Sequence, residues 1–203
     1  MIYNTKLLNF FFVCITSLIF LEKYSLAEDL ISGYHFSEPS TQNIQDDDFL
    51  NPGFIWVENG ALLWNKKEQS SQLSCKSCHG EASEMRGVAL KFPKITKKGD
   101  LINLEQQINI CRHENMNAEK YEPESKNLLA LSVLMYYQSR GLEQGIEINE
   151  KNRKYFNLGK KLYFKKIGQM GLSCNQCHDD RVGQNLRAEK VSQGHINGFP
   201  SYL

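Results

Sequence analysis

Ser74-Cys75-Lys76-Ser77-Cys78-His79 and Ser173-Cys174-Asn175-Gln176-Cys177-His178 decide how this sequence is read. Each contains Cys-x-x-Cys-His, the attachment signature of c-type haem. The chemistry fixes the spacing. Two thiols add across the two vinyl groups of a porphyrin, one helical turn brings both within reach, and the adjacent imidazole binds the iron. Cys75, Cys78, Cys174 and Cys177 are therefore the expected attachment residues, His79 and His178 the expected proximal ligands, and two c-type haems the expected cofactors. Other uses of the same residues fit less well. A dithiol redox couple does not need the histidine. A zinc ribbon would not separate Cys78 from Cys174 by 96 residues. Disulfides between cysteines so close together rarely reach good geometry.

The pentads sit in a larger repeat. At an offset of 99 residues, Gly60 falls on Gly159, Leu63 on Leu162, Trp64 on Tyr163, Leu73 on Leu172 and Ser74 on Ser173. An internal repeat marks two copies of one folding unit. Each copy opens with helical spacing of apolar residues: Phe54, Val57, Ala61, Leu62 and Trp64 after an Asn51-Pro52 start, then Tyr155, Leu158, Leu162 and Tyr163. Asn103 and Gln106 form a capping box ahead of a short helix with Leu104, Ile108 and Cys111 on one face. A further helix is expected from Ser125 to Arg140, nearly all apolar over Leu128 to Tyr137, and ended by Gly141. No long alternating segment argues for strands. The fold expected is mainly α, two tandem cytochrome c-like haem domains over residues 51–145 and 146–203, joined near residues 141–150. Residues 28–50 carry Asp46-Asp47-Asp48 and little periodicity, and read as a mobile or loosely packed N-terminal arm.

Residues 1–27 read as a signal peptide. Lys6 supplies the positive start, Leu7 to Leu21 the apolar run, and Ser25-Leu26-Ala27 the small residues of a cleavage site after Ala27. A retained anchor is the alternative, and Glu22-Lys23 closes the apolar run. Cys14 lacks a lipobox. Cleavage removes it, leaving an exported, periplasmic protein with five cysteines, an odd number, and no further membrane-spanning stretch. With 41% hydrophobic and 23% charged residues, 14 Gly and 5 Pro, the composition excludes collagen-like and wholly disordered sequences. Lys and Arg total 24 against 23 Asp and Glu, with no basic face, which argues against nucleic acid as a partner.

The sixth iron ligand is left open by the residues themselves. Met85, Met116, His113 and His195 are available. Met135 and Met170 read better as core or loop residues. Cys111 is the thiol outside the pentads, 36 residues after Cys75. It is either a small buried hydrophobe or a thiolate on iron, where coordination would shield it from oxidation. Adding the offset to Cys111 falls past Leu203, and the helix of residues 125–140 also has no counterpart. The second unit is expected to be incomplete, and the sequence truncated at its C-terminal end.

These stretches resemble the SoxA family, di-haem cytochrome subunits of bacterial thiosulfate oxidation. The resemblance runs from about Pro52 to Leu203. It is carried by Gly60-Ala-Leu-Leu-Trp64, both pentads, Met85-Arg-Gly-Val-Ala89, Leu101-Ile-Asn-Leu104, Ile108-Asn-Ile-Cys-Arg112 and Gln193-Gly-His-Ile-Asn-Gly-Phe-Pro200. It implies an L-cysteine S-thiosulfotransferase. With a SoxX-like mono-haem cytochrome, such a protein joins thiosulfate oxidatively to a cysteine of a SoxYZ-like carrier, and two electrons leave through haem to a soluble cytochrome c. It also implies Cys111 as the distal thiolate of the first haem, opposite His79. The family's catalytic persulfide cysteine and its arginine have no match here, because they are expected beyond Leu203; Arg112 is the first unit's echo of that arginine. Two other functions share the pentads: a plain di-haem electron-transfer cytochrome with Met-ligated iron, and a di-haem cytochrome peroxidase.

Overall fold

The computed structural model describes residues 31–143, 145–187 and 189–193. The expected signal peptide, His195 and the Gly-His-x-x-Gly-x-Pro element lie outside the described residues. The described part is mainly helical. Its strands are two short antiparallel hairpins, β1 (Lys94–Ile95) with β2 (Leu101–Ile102) and β3 (Asn185–Leu186) with β4 (Glu189–Lys190).

The described part of the N-terminal arm, from residue 31, holds two short helical segments. Gly33–Phe36 makes a 3₁₀ turn, and α1 (Pro39–Asp46) starts on a proline, whose missing N–H costs nothing there. None of α1 is buried. What ties the arm down is polar. Asp48 accepts from Arg140 at 2.6 Å and from the Tyr137 hydroxyl at 3.0 Å.

The first unit is built on the crossing of α2 (Phe54–Asn65) and α5 (Lys126–Tyr137). Helix α2 starts two residues later than the Asn51-Pro52 signal predicts. Asn51 is buried in a turn, its side-chain oxygen accepting from Gly53 N–H at 2.8 Å and its carbonyl from Phe54 N–H at 3.0 Å. Val57, Gly60 and Trp64 form the buried stripe of α2, whereas Leu62 is exposed. Gly60 is where the helices touch. A Cβ there would lie 2.3 Å from the Ala130 carbonyl oxygen and 2.8 Å from Leu134 Cβ. Leu131, Leu134 and Met135 of α5 complete a core with Ala89, Phe92, Ile102 and Leu104.

Between them, α3 (Cys75–His79) carries the first pentad and α4 (Leu104–Met116) carries Cys111. The α4 capping box forms as expected, with Asn103 and Gln106 exchanging bonds of 2.8 Å. Asn117, in the left-handed region at φ 47°, ends the helix. The described residues from Ser32 onward form one compact unit, in which the second copy of the sequence repeat holds α6 (Arg153–Tyr163) and α7 (Cys174–His178). No residue of α6 is buried. Among the described residues, no helix is long and apolar enough to cross a membrane.

Candidate haem sites

Both pentads are held by the same local devices. Ser74 and Ser77 cap α3 reciprocally, and Ser173 and Gln176 do so for α7, which fixes the helical turn that brings the two cysteines to one side of the backbone. A second tie recurs at the same offset. Trp64 Nε1 donates to the Gly80 carbonyl at 3.0 Å, and Tyr163 Oη donates to Asp179 Oδ1 at 2.7 Å. In each unit the aromatic of the leading helix is thus fastened to the residue that follows the histidine. Burial, the Asp179 bond and nearby negative charge push the Tyr163 phenol up to about 12.

The first pentad opens onto a cavity of about 320 Å³, within the range of cofactor sites. Cys75, His79 and Cys111 all line it, with Met85 and Met116 among the walls. Val88, Phe92, Leu104, Ile108, Leu131 and Met135 make the surface mainly apolar. Leu104, Ile108 and Cys111 therefore share the face expected of them. Cys78 lies outside this lining and is exposed; His113 is also outside it and exposed. The His79 ring lies 5.9 Å from the Trp64 ring, centre to centre. Burial pushes the Cys75 thiol up to about 11, against the pull of the Arg112 charge.

Two groups of residues around Cys111 escape sequence reading. Gln107 Nε2 donates to Cys111 Sγ at 3.2 Å. Its position four residues before Cys111 on a helical pattern was the available signal. Arg112 is committed elsewhere: it pairs with Glu68 at 2.6 Å, donates to the Glu119 carbonyl at 3.1 Å and stacks 3.6 Å above the Tyr121 ring. No local pattern links Glu68 to Arg112, because the contact is made by the fold.

At the second pentad, Cys174 is exposed and Cys177 half-buried. His178 Nδ1 lies 2.6 Å from the Ser192 carbonyl oxygen. A carbonyl only accepts, so Nδ1 carries the proton and Nε2 keeps the lone pair a metal needs. Ile167, Met170 and Leu172, just ahead of the pentad, stand 62%, 79% and 41% exposed. No disulfide joins any of the five described cysteines. Among the described residues, no group of three or more His, Cys, Asp or Glu is placed to hold a bare metal ion.

Residues 59–143 match the family described as SoxA/TsdA, cytochrome c domain. The protein is 36% identical over 176 residues to the L-cysteine S-thiosulfotransferase subunit SoxA of Paracoccus pantotrophus, an alignment that takes in 86% of this sequence and 61% of that one. It is 38% identical over 175 residues to the SoxA of Pseudaminobacter salicylatoxidans, taking in 85% and 61%. Among solved structures, SoxXA from P. pantotrophus superposes with a TM-score of 0.79 at 36% identity, over 84% of this protein and 65% of the matched one. The sequence spans about three fifths of the length of these curated relatives.

Proposed function

We propose, from the match of residues 59–143 to the SoxA/TsdA cytochrome c domain and the similarity to SoxA subunits, that the protein is the di-haem subunit of an L-cysteine S-thiosulfotransferase. Exported to the periplasm after cleavage at Ala27, it would pair with a SoxX-like mono-haem cytochrome. The reaction joins thiosulfate to a cysteine thiol of a SoxYZ-like carrier. One S–S bond forms, the thiol proton leaves, and two electrons pass to a soluble cytochrome c.

The residues present fit a c-type haem at the first site. Two thiols and an imidazole come from one capped turn, and a mainly apolar cavity adjoins Cys75 and His79 with the Cys111 sulfur on its wall. A bound haem would supply one-electron relay chemistry there. Cys75 and Cys78 would hold it covalently and His79 would be the proximal ligand. Cys111 would be the distal one; as a thiolate it favours ferric iron and a low potential. Gln107 orients that sulfur. Arg112, locked between Glu68 and Tyr121, braces the wall of the site and is not free to bind a substrate anion. At the second site Cys174, Cys177 and His178 would take the same roles, with the Ser192 carbonyl setting the His178 tautomer.

The observation that carries this reading is the meeting of Cys75, His79 and Cys111 on one cavity. Met85 and Met116 on the same walls favour a second reading, a di-haem electron carrier with Met-ligated iron. Protein matured in a host that attaches c-type haem tests both. The intact mass should show two haems, and thiosulfate with carrier and mono-haem partner should reduce the acceptor. Replacement of Cys111→Met should raise the potential of one haem and create a Met–iron charge-transfer band. A wild-type protein that already shows that band and an unshifted variant would favour the carrier.

A further inference from the structure

The mainly apolar cavity at the first pentad has cations on its wall. Among the described residues that line it, Lys91, Lys94 and Arg112 are the Lys and Arg side chains, and no carboxylate stands with them. The Arg112 charge acts on the Cys75 thiol, so it belongs to the attachment end, and Glu68 already neutralises it. Lys91 and Lys94 are different. Neither is in an ion pair among the described residues. Both also line a neighbouring cleft of about 390 Å³ whose walls include Glu147, yet that carboxylate is paired with neither.

The local fold holds the two lysines at the wall. Ala89, fully buried, and Phe92, 5% exposed, anchor this segment in the core. Lys91 closes a 3₁₀ turn (Ala89–Lys91), and Lys94 opens β1 opposite Ile102. Lys94 Nζ lies 4.8 Å from the centre of the Phe92 ring, which is itself part of the cavity wall. Both lysines are exposed, so their stems can follow the apolar surface while the ammonium groups stay at its rim. A purely apolar ligand would make no use of two unpaired cations there.

A c-type haem would. Its vinyl edge is taken by two cysteines, and the opposite edge carries two propionate carboxylates. A carboxylate beside apolar walls is costly unless a cation meets it. We propose that Lys91 and Lys94 pair with the propionates of the first haem and fix its orientation in the cavity, while Arg112 stays with Glu68 at the attachment end. The proposal rests on the haem reading of this site. It gives the lysines a second effect: ammonium charges beside the macrocycle favour the less positive ferrous state and offset the lowering of the potential by a thiolate.

The test uses the full haem-loaded protein. Resonance Raman spectra report the propionate bending modes, and a redox titration reports each haem. Lys91→Gln combined with Lys94→Gln should move the propionate modes of one haem and lower the potential of that haem alone, the one that also responds to Cys111→Met. Lys91→Arg with Lys94→Arg should restore both, because a guanidinium also pairs with a carboxylate. Lys97→Gln with Lys98→Gln removes two charges between β1 and β2, outside the cavity lining, and should leave the modes where they were. Propionate modes indifferent to the loss of Lys91 and Lys94, or moved as far by the Lys97 and Lys98 replacements, would overturn the proposal and leave the haem reading standing. A wild-type mass with no haem at the first pentad would overturn the haem reading, and the proposal with it.

Discussion

Helices α2 and α6 begin the two copies of one repeat, yet one is buried along a stripe and the other has no buried residue. Everything within reach of the pentad itself is shared. Both units have the capping box, and both tie an aromatic to the residue after the histidine. What differs is supplied from farther along the sequence. The first unit has α4 and α5, which bring Cys111 and the apolar walls to the cavity. The pentad turn is thus a local structure, whereas the distal side of a site is a tertiary one.

The largest expected effect separates the units by haem attachment. Replacing Cys75 and Cys78 by serine should remove one haem mass and most of the helical signal of the first unit, because its core borders the cavity. The corresponding Cys174 and Cys177 replacements should remove the other haem mass and leave unfolding of the α2–α5 core in place. Mass spectrometry with circular dichroism reads both. Equal loss of helix in the two variants would break the comparison.

Next in size is the clamp behind Cys111. The Arg112 side chain is 8% exposed and that of Glu68 21%. Arg112→Leu would strand the carboxylate and lose the Tyr121 stack, at a cost of about 3 kcal/mol in a urea titration. The two glycines come after it and should have opposite signs. Gly60→Ala drives a methyl into the Ala130 carbonyl and should destabilise by about 2 kcal/mol. Gly159→Ala meets nothing among the described residues and should stabilise by about 0.5–1 kcal/mol. Melts of the paired variants check this, and two losses of similar size would mean that α6 is already covered in solution.

How much was legible in the sequence follows the same division. The pentads, the Asn103–Gln106 cap and the apolar face of α4 are set by residues a few positions apart, so spacing was enough to find them. The helix spanning Lys126–Tyr137 was visible from its apolar run. The start of α2 was misplaced by two residues because Asn51 spends its side chain on a turn instead of a helix cap. Leu62 looked like a core residue since the periodicity does not say how wide the buried stripe is. The tie between Asp48 and Arg140 at the end of the N-terminal arm had no local signal, because the two lie far apart along the sequence. The repeat singled out Gly60, but only the crossing with α5 explains it.

The smallest expected effect is the most specific to the first site. Gln107 donates an N–H to Cys111 Sγ at 3.2 Å, a bond made within α4. If that sulfur is an iron ligand, the donor withdraws electron density from it and holds the potential above that of an unassisted thiolate. Gln107→Leu keeps the bulk and removes the donor. The potential of the first haem should then fall while the second stays where it was, and the thiolate signature in the electron paramagnetic resonance spectrum should shift with it. A Gln107→Leu protein with both potentials unchanged would place Cys111 off the iron. The sixth position would then pass to Met85 or Met116, and the difference between the two units would reduce to packing alone.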